Sequence, residues 1–208
     1  AVPVVGRVRA VDATDNDGPV MHRVTGTNAA SSVLAPYFVG NTIDYSFPLW
    51  FETRFKVSSV ADDVMAIAIG LISGIHSAVA ADNGVLSDNA GEIVDSVSFL
   101  GFNSQHVNSG TTGANAALDF VYQDGGATTP VVAVTGAATM VADTWIKAGF
   151  YYNPEAINAR KISIYINNVA NGTYVTNVNI DASTFPENDM MAPVIASKNG
   201  GSTAATLT

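Results

Sequence analysis

Residues 49–72 read Leu-Trp-Phe-Glu-Thr-Arg-Phe-Lys-Val, then Ser-Ser-Val-Ala-Asp-Asp-Val, then Met-Ala-Ile-Ala-Ile-Gly-Leu-Ile. The first segment alternates. Phe51, Thr53, Phe55 and Val57 fall on one face, with Glu52, Arg54 and Lys56 on the other. That is the period of a strand with one side in a core and one side in water. Residues 58–63 read as a turn. Residues 65–72 are nearly all apolar, which suits a strand covered on both faces. Two long neighbouring strands of these two kinds belong at the centre of a two-sheet β fold.

Working outward, residues 4–11, 19–25 and 42–47 read as strands before this pair. After it, strands are expected at 91–102, 117–123, 131–135, 144–152, 161–167, 174–178, 193–196 and 203–208. In residues 161–167, Ile162, Ile164 and Ile166 point inward against Lys161, Ser163 and Tyr165, and Asn167-Asn168 makes the hairpin turn. Residues 73–89 and 103–115 are rich in Ser, Ala, Gly, Asn and Thr and read as long loops. No segment longer than about ten residues keeps a helical period, so the expected fold is all-β. No linker-like shift in composition and no fixed-period repeat divides the chain, so residues 1–208 are expected to form a single β-sandwich domain. The chain stops at Thr208 in what reads as mid-strand, so a few further C-terminal residues are expected.

Composition narrows the function. The chain has 208 residues, no cysteine and a net charge of −9. Disulfides and thiolate metal sites are therefore excluded. The acidic balance argues against nucleic acid as a partner. The mean hydropathy of +0.24 is high, yet no apolar run approaches the ~18 residues that a membrane helix needs. Charged residues make up 13% of the chain, well below the usual quarter. A surface so poor in charge suggests one that is partly covered in an assembly.

Three stretches together resemble the concanavalin A-like (laminin G-like) jelly roll. They are Trp50 to Val57 followed by Ile69-Gly70-Leu71, then Trp145 to Tyr152, then Ile162 to Asn168 leading to Gly172. The resemblance implies a two-sheet antiparallel jelly-roll sandwich. The fold hosts lectins, glycosidases, lyases and scaffolds, so it does not specify an activity. The low-charge, Ala/Gly/Ser/Thr-rich style also resembles tailed-phage virion proteins of this fold. That implies a non-enzymatic decoration (cement) protein on the virion surface, in contact with a major capsid protein and with itself, plausibly as a homotrimer. In this reading Ser73, His76, Asn103 and Asn108, in the two long loops, are the interface candidates. The alternative is a carbohydrate-binding module of a fibre or secreted protein. Its candidates are the outward residues Trp50, Arg54, Trp145, Tyr151 and Tyr165, because aromatic faces stack on sugar rings. The competing account is that these rings pack at sheet edges or under loops.

No catalytic set is complete. Alginate-lyase-like members of the fold resemble the chain at Glu52-Thr53-Arg54 and at Lys147 to Tyr151. That resemblance implies an Arg neutralising a uronate carboxylate, a Tyr moving the sugar C5 proton, and a Gln-x-His motif between them. Here Gln105 and His106 are adjacent, so on a strand they face opposite ways. A retaining glucanase needs two carboxylates on one face. Glu92 and Asp95 are three residues apart and no second Glu follows. His22, His76 and His106 show no metal-ligand spacing. The acidic turn holding Asp12, Asp15 and Asp17 has the look of a calcium loop, but Ala13 breaks the alternation of oxygen ligands. Calcium is therefore the one cofactor candidate, and a solvated turn is the other account. The expected mode of action is contact rather than catalysis.

Overall fold

The computed structural model describes residues 22–23, 31–34, 41–42, 48–73, 85–87, 91–95, 97–105, 116–125, 129–186, 190–200 and 206–208. Thirteen strands are named in chain order. They are β1 (His22–Arg23), β2 (Ser31–Leu34), β3 (Asn41–Thr42), β4 (Leu49–Phe55), β5 (Met65–Ser73), β6 (Ser98–Ser104) and β7 (Ala117–Gln123). They continue with β8 (Val131–Thr139), β9 (Ile146–Tyr152), β10 (Ile162–Ile166), β11 (Val169–Val175), β12 (Met190–Asn199) and β13 (Thr206–Leu207). A 3₁₀ turn, Asn158–Arg160, and a one-turn helix α1, Asn177–Ile180, complete the elements.

The strands form a four-stranded sheet in the order β11-β10-β9-β4 and a seven-stranded sheet in the order β2-β12-β5-β6-β7-β8, with β3 also on β12. All the pairings are antiparallel. β1 pairs with β13, and Leu207 also bridges to Val57 just beyond β4. The architecture is a two-sheet antiparallel jelly-roll sandwich.

The alternating stretch behaves as its period requires. In β4, Phe55 is buried while Trp50, Glu52 and Arg54 are exposed. β5 is buried along both faces from Met65 to Ile72 and lies between β6 and β12. Between the sheets lies the main core. Phe55, Ile146, Phe150, Ile162 and Ile164 come from the small sheet, and Ile67, Ile69, Leu100, Phe102 and Phe120 from the large one. The rings of Phe120 and Phe150 meet edge-on at 5.3 Å and tie the two layers together.

A second apolar cluster lies on the other side of the large sheet. There Ala66, Ala68, Ile72, Phe99, Val121, Val194 and Ala196 are covered by Val85, Leu86, Ile93 and Val97. This corrects the expected strand over 91–102. β6 begins at Ser98, and Ile93, Val94 and Val97 form part of the cover. Buried polar side chains pin that cover. Gln123 donates from Nε2 to the carbonyls of Val94 (2.8 Å) and Val97 (3.0 Å). Asn103 donates to Gly91 O at 3.1 Å and to Ile67 O at 3.0 Å. Lys198, fully buried, reaches Leu86 O at 3.4 Å.

Other boundaries shift for local reasons. β8 runs to Thr139 rather than 135, through Gly136 at φ +58°, where the ladder with β7 changes register. The expected strand 174–178 ends at Val175. Thr176 then caps α1 in a reciprocal box with Asn179. The closing strand expected at 193–196 is longer, and that at 203–208 is Thr206–Leu207. The Asn167-Asn168 hairpin is as expected, both residues having positive φ (50° and 67°). The expected strand 4–11 lies outside the described residues.

Candidate functional site

All four strands of the small sheet present long side chains on its outer face. Register sets these in rows. Trp50 lies opposite Tyr151, Tyr151 opposite Ser163, and Ser163 opposite Tyr174. In the next row Glu52 lies opposite Gly149, and Gly149 opposite Tyr165. Beyond that, Arg54 lies opposite Lys147.

Gly149 decides the shape of the face. A Cβ built there would come within 2.7 Å of Phe51 O, so β4 and β9 approach too closely for a side chain. Trp50 and Tyr165 stand on strands that flank β9, yet their ring centroids are 5.2 Å apart. They meet because nothing rises from Gly149 between them. Tyr151 packs on Trp50 from the same strand at 5.8 Å. The three rings form one cluster, each tilted contact worth about 0.5–1.5 kcal/mol. Trp50 remains 52% exposed, so part of the cluster faces water.

Polar groups border the rings. Lys147 Nζ lies 2.7 Å from Glu52 Oε1 and donates to Asn168 Oδ1 at 2.8 Å. Both members of that ion pair are one-third exposed, so its net contribution is about 1 kcal/mol or less. The guanidinium of Arg54 lies 4.6 Å above the Trp145 ring, with Lys56 5.6 Å from the same ring. At the opposite corner Arg160 lies 4.9 Å from the ring of Tyr174. Such cation–π contacts hold long side chains in place and contribute about 0.5–1 kcal/mol each at exposed sites.

The structure therefore brings Trp50, Tyr151 and Tyr165 together and puts Arg54 and Trp145 on the same face as a separate pair. Trp50 is on an edge strand, and the Trp145 ring carries two cations. Arg160 and Tyr174 extend the face and were not singled out from the sequence. The alternation of Tyr174 with Val175 could have signalled the outward position.

The other sequence candidates lie elsewhere. Asn103 is not in a surface loop. It lies in β6, 4% exposed, because both its amide donors serve carbonyls under the cover. Ser73 ends β5, half-buried opposite Ser98. Glu92 accepts from Gln105 Nε2 at 3.3 Å, and neither Glu92 nor Asp95 is on a strand. Asp12, Asp15, Asp17, His76, His106 and Asn108 lie outside the described residues. Among the described residues no group of three or more His, Asp or Glu could hold a metal ion. Burial raises the carboxyl of Asp119 above its ordinary range, and the hydrogen bond from the Gly136 N–H pulls it partly back.

No protein-family model and no curated protein matches this sequence. Solved structures do resemble its fold. The carbohydrate recognition domain of Emp46p, in a potassium-bound form, superposes with a TM-score of 0.57 at 10% identity, over 90% of this chain and 79% of that one. Peanut lectin bound to a nine-residue peptide gives 0.42 at 12% identity, over 90% and 93%. An endo-β-1,4-glucuronan lyase from the fungus Trichoderma reesei gives 0.41 at 11% identity, over 90% and 83%. At such identities the likeness is one of fold, and it agrees with the lectin-like jelly roll.

Proposed function

We propose that this domain binds carbohydrate on the outer face of its four-stranded sheet. The carrying observation is the ring cluster of Trp50, Tyr151 and Tyr165, solvent-facing and set beside Glu52, Lys147 and Asn168. An apolar ring surface with hydrogen-bonding groups alongside matches the two chemistries of a pyranose. Its C–H face stacks on the aromatic, and its rim hydroxyls meet donors and acceptors. The rings are already packed against one another, so little side-chain entropy is lost on binding. The fold likeness to a carbohydrate recognition domain supports the same reading. The test is a glycan array followed by titration of tryptophan fluorescence. Trp50→Ala should abolish a specific hit while leaving the fold intact. An array without any saturable hit would sink the reading.

A second reading keeps the domain on a particle. Ile157 and Val178 are 67% and 80% exposed, and the 3₁₀ turn and α1 beside them pack against each other. That end of the sandwich offers apolar area to a protein partner, at ~25 cal/mol per Å² buried. In a virion the partners would be a major capsid protein and further copies of this chain. Saturable binding to particles stripped of decoration, weakened by Val178→Asp, is the expected result.

A further inference from the structure

We infer that the ligand of the small sheet's outer face is an anionic polysaccharide chain, bound across the strands. This rests on the carbohydrate-binding reading above and adds the charge and length of the ligand. The chain has 9 basic and 18 acidic residues. Five of those nine basic residues, Arg54, Lys56, Lys147, Arg160 and Lys161, lie on the small sheet or at its strand ends. Counted by the same bound, the four strands and the two residues beyond each end, there is a single carboxylate, Glu52. Glu52 is matched by Lys147. Among the described residues neither Arg54 nor Arg160 pairs with a carboxylate. In a protein of net charge −9 this segregation makes one face locally positive, which concentrates anions there.

The two arginines are also pre-oriented. Each lies over an aromatic ring, Arg54 at 4.6 Å from Trp145 and Arg160 at 4.9 Å from Tyr174. Stacking engages the flat face of a guanidinium and leaves its N–H edge for a bidentate contact with carboxylate or sulfate. Their separation sets the ligand's length. Arg54 is on β4, and Tyr174 is on β11 at the far edge of the sheet, in the row that contains Trp50. Three strand intervals and four residue steps amount to about 20 Å on a flat sheet. A single sugar ring reaches one arginine. A chain of roughly four units reaches both, passing over the Trp50–Tyr151–Tyr165 cluster between them.

The test is calorimetry on the whole chain with octasaccharides of polygalacturonate and of chondroitin sulfate, and with uncharged cellohexaose, at low and high salt. The charged octasaccharides should bind more tightly, and added salt should weaken them. Arg54→Gln and Arg160→Gln should each weaken them about tenfold and flatten the salt dependence. Trp50→Ala should remove binding of every probe. Cellohexaose bound as tightly as the charged chains, with no salt effect, overturns the charge inference and leaves the sugar-binding reading standing. A charged disaccharide binding as well as the octasaccharide overturns the length. A single-stranded oligonucleotide competing equally at matched charge overturns the polysaccharide assignment. Binding of none of the probes removes both this inference and the reading beneath it.

Discussion

The two sheets of this sandwich have outer faces with opposite fates. The large sheet presents small residues (Ala66, Ala68, Gly70, Gly101, Ala196) and apolar ones (Ile72, Phe99, Val121, Val194) outward, and Val85, Leu86, Ile93 and Val97 lie on it as a second apolar layer. The small sheet presents Trp50, Arg54, Lys147, Tyr151 and Tyr165 outward, and these are exposed or half-buried. Both faces obey the same two-residue period, and what separates them is the polarity and size of the outward side chains. Small outward residues leave depth for a loop to settle, and Gln123 and Asn103 supply the donors that its buried carbonyls need. Long outward residues fill that depth themselves and stay available to a ligand. A sheet face of small and apolar residues is thus one to be covered, while a face of rings and guanidinium groups is one to be used.

The sharpest way to break this contrast is to cut into the covered face. Phe99 is fully buried in the cluster with Val85, Leu86, Ile93 and Val97, and Phe99→Ala should cost about 3–5 kcal/mol in a urea unfolding titration. Next comes the pin. Gln123→Ala leaves the carbonyls of Val94 and Val97 without that donor and should cost about 1–3 kcal/mol, with faster amide exchange in residues 91–97. On the open face the same kind of truncation should matter less to folding. Trp50→Ala is expected to cost about 1–2 kcal/mol, read from the same titration, because it gives up two ring contacts while half of the side chain is already in water. Equal losses for Phe99→Ala and Trp50→Ala would erase the distinction between the faces.

The smallest expected effect is a pH-dependent one at Asp119. Its folded-state pKa is raised, chiefly by burial, so the unfolded chain holds the proton less tightly than the folded one. The stability this lends is complete below the ordinary carboxylate range and is lost as pH rises through the folded value. Asp119→Asn retains an acceptor for the Gly136 N–H and carries no charge. It should be slightly more stable than the parent at neutral pH, with the advantage vanishing below about pH 4. Thermal melts across that range check the sign.

Residues 49–73 were legible because each local signal agreed with the final packing. Alternation gave β4, and unbroken apolar sequence gave the doubly buried β5. Residues 91–97 misled for a stated reason. Ile93, Val94 and Val97 are apolar and β-branched, as a strand would be, but they pack as a loop whose partner residues lie in other strands. The outward placement of Trp50, Tyr151 and Tyr165 followed from parity alone. Their contact did not, since it depends on Gly149 standing between two strands whose order in the sheet is not local information. The stacked arginines are of the same kind. Arg160 meets Tyr174 only after a hairpin brings the two together.

The position of β5 has a consequence for how the protein is made. One of its neighbours, β6, follows shortly after it, but the other, β12, ends at Asn199. On the ribosome, a strand of sequence Met-Ala-Ile-Ala-Ile-Gly-Leu-Ile therefore waits with one edge bare until residues 190–199 have emerged. Nascent or truncated chains that lack residues 190–199 would carry a sticky template for aggregation, so yield in a cell should depend on chaperone supply and growth temperature more than on the stability of the finished fold.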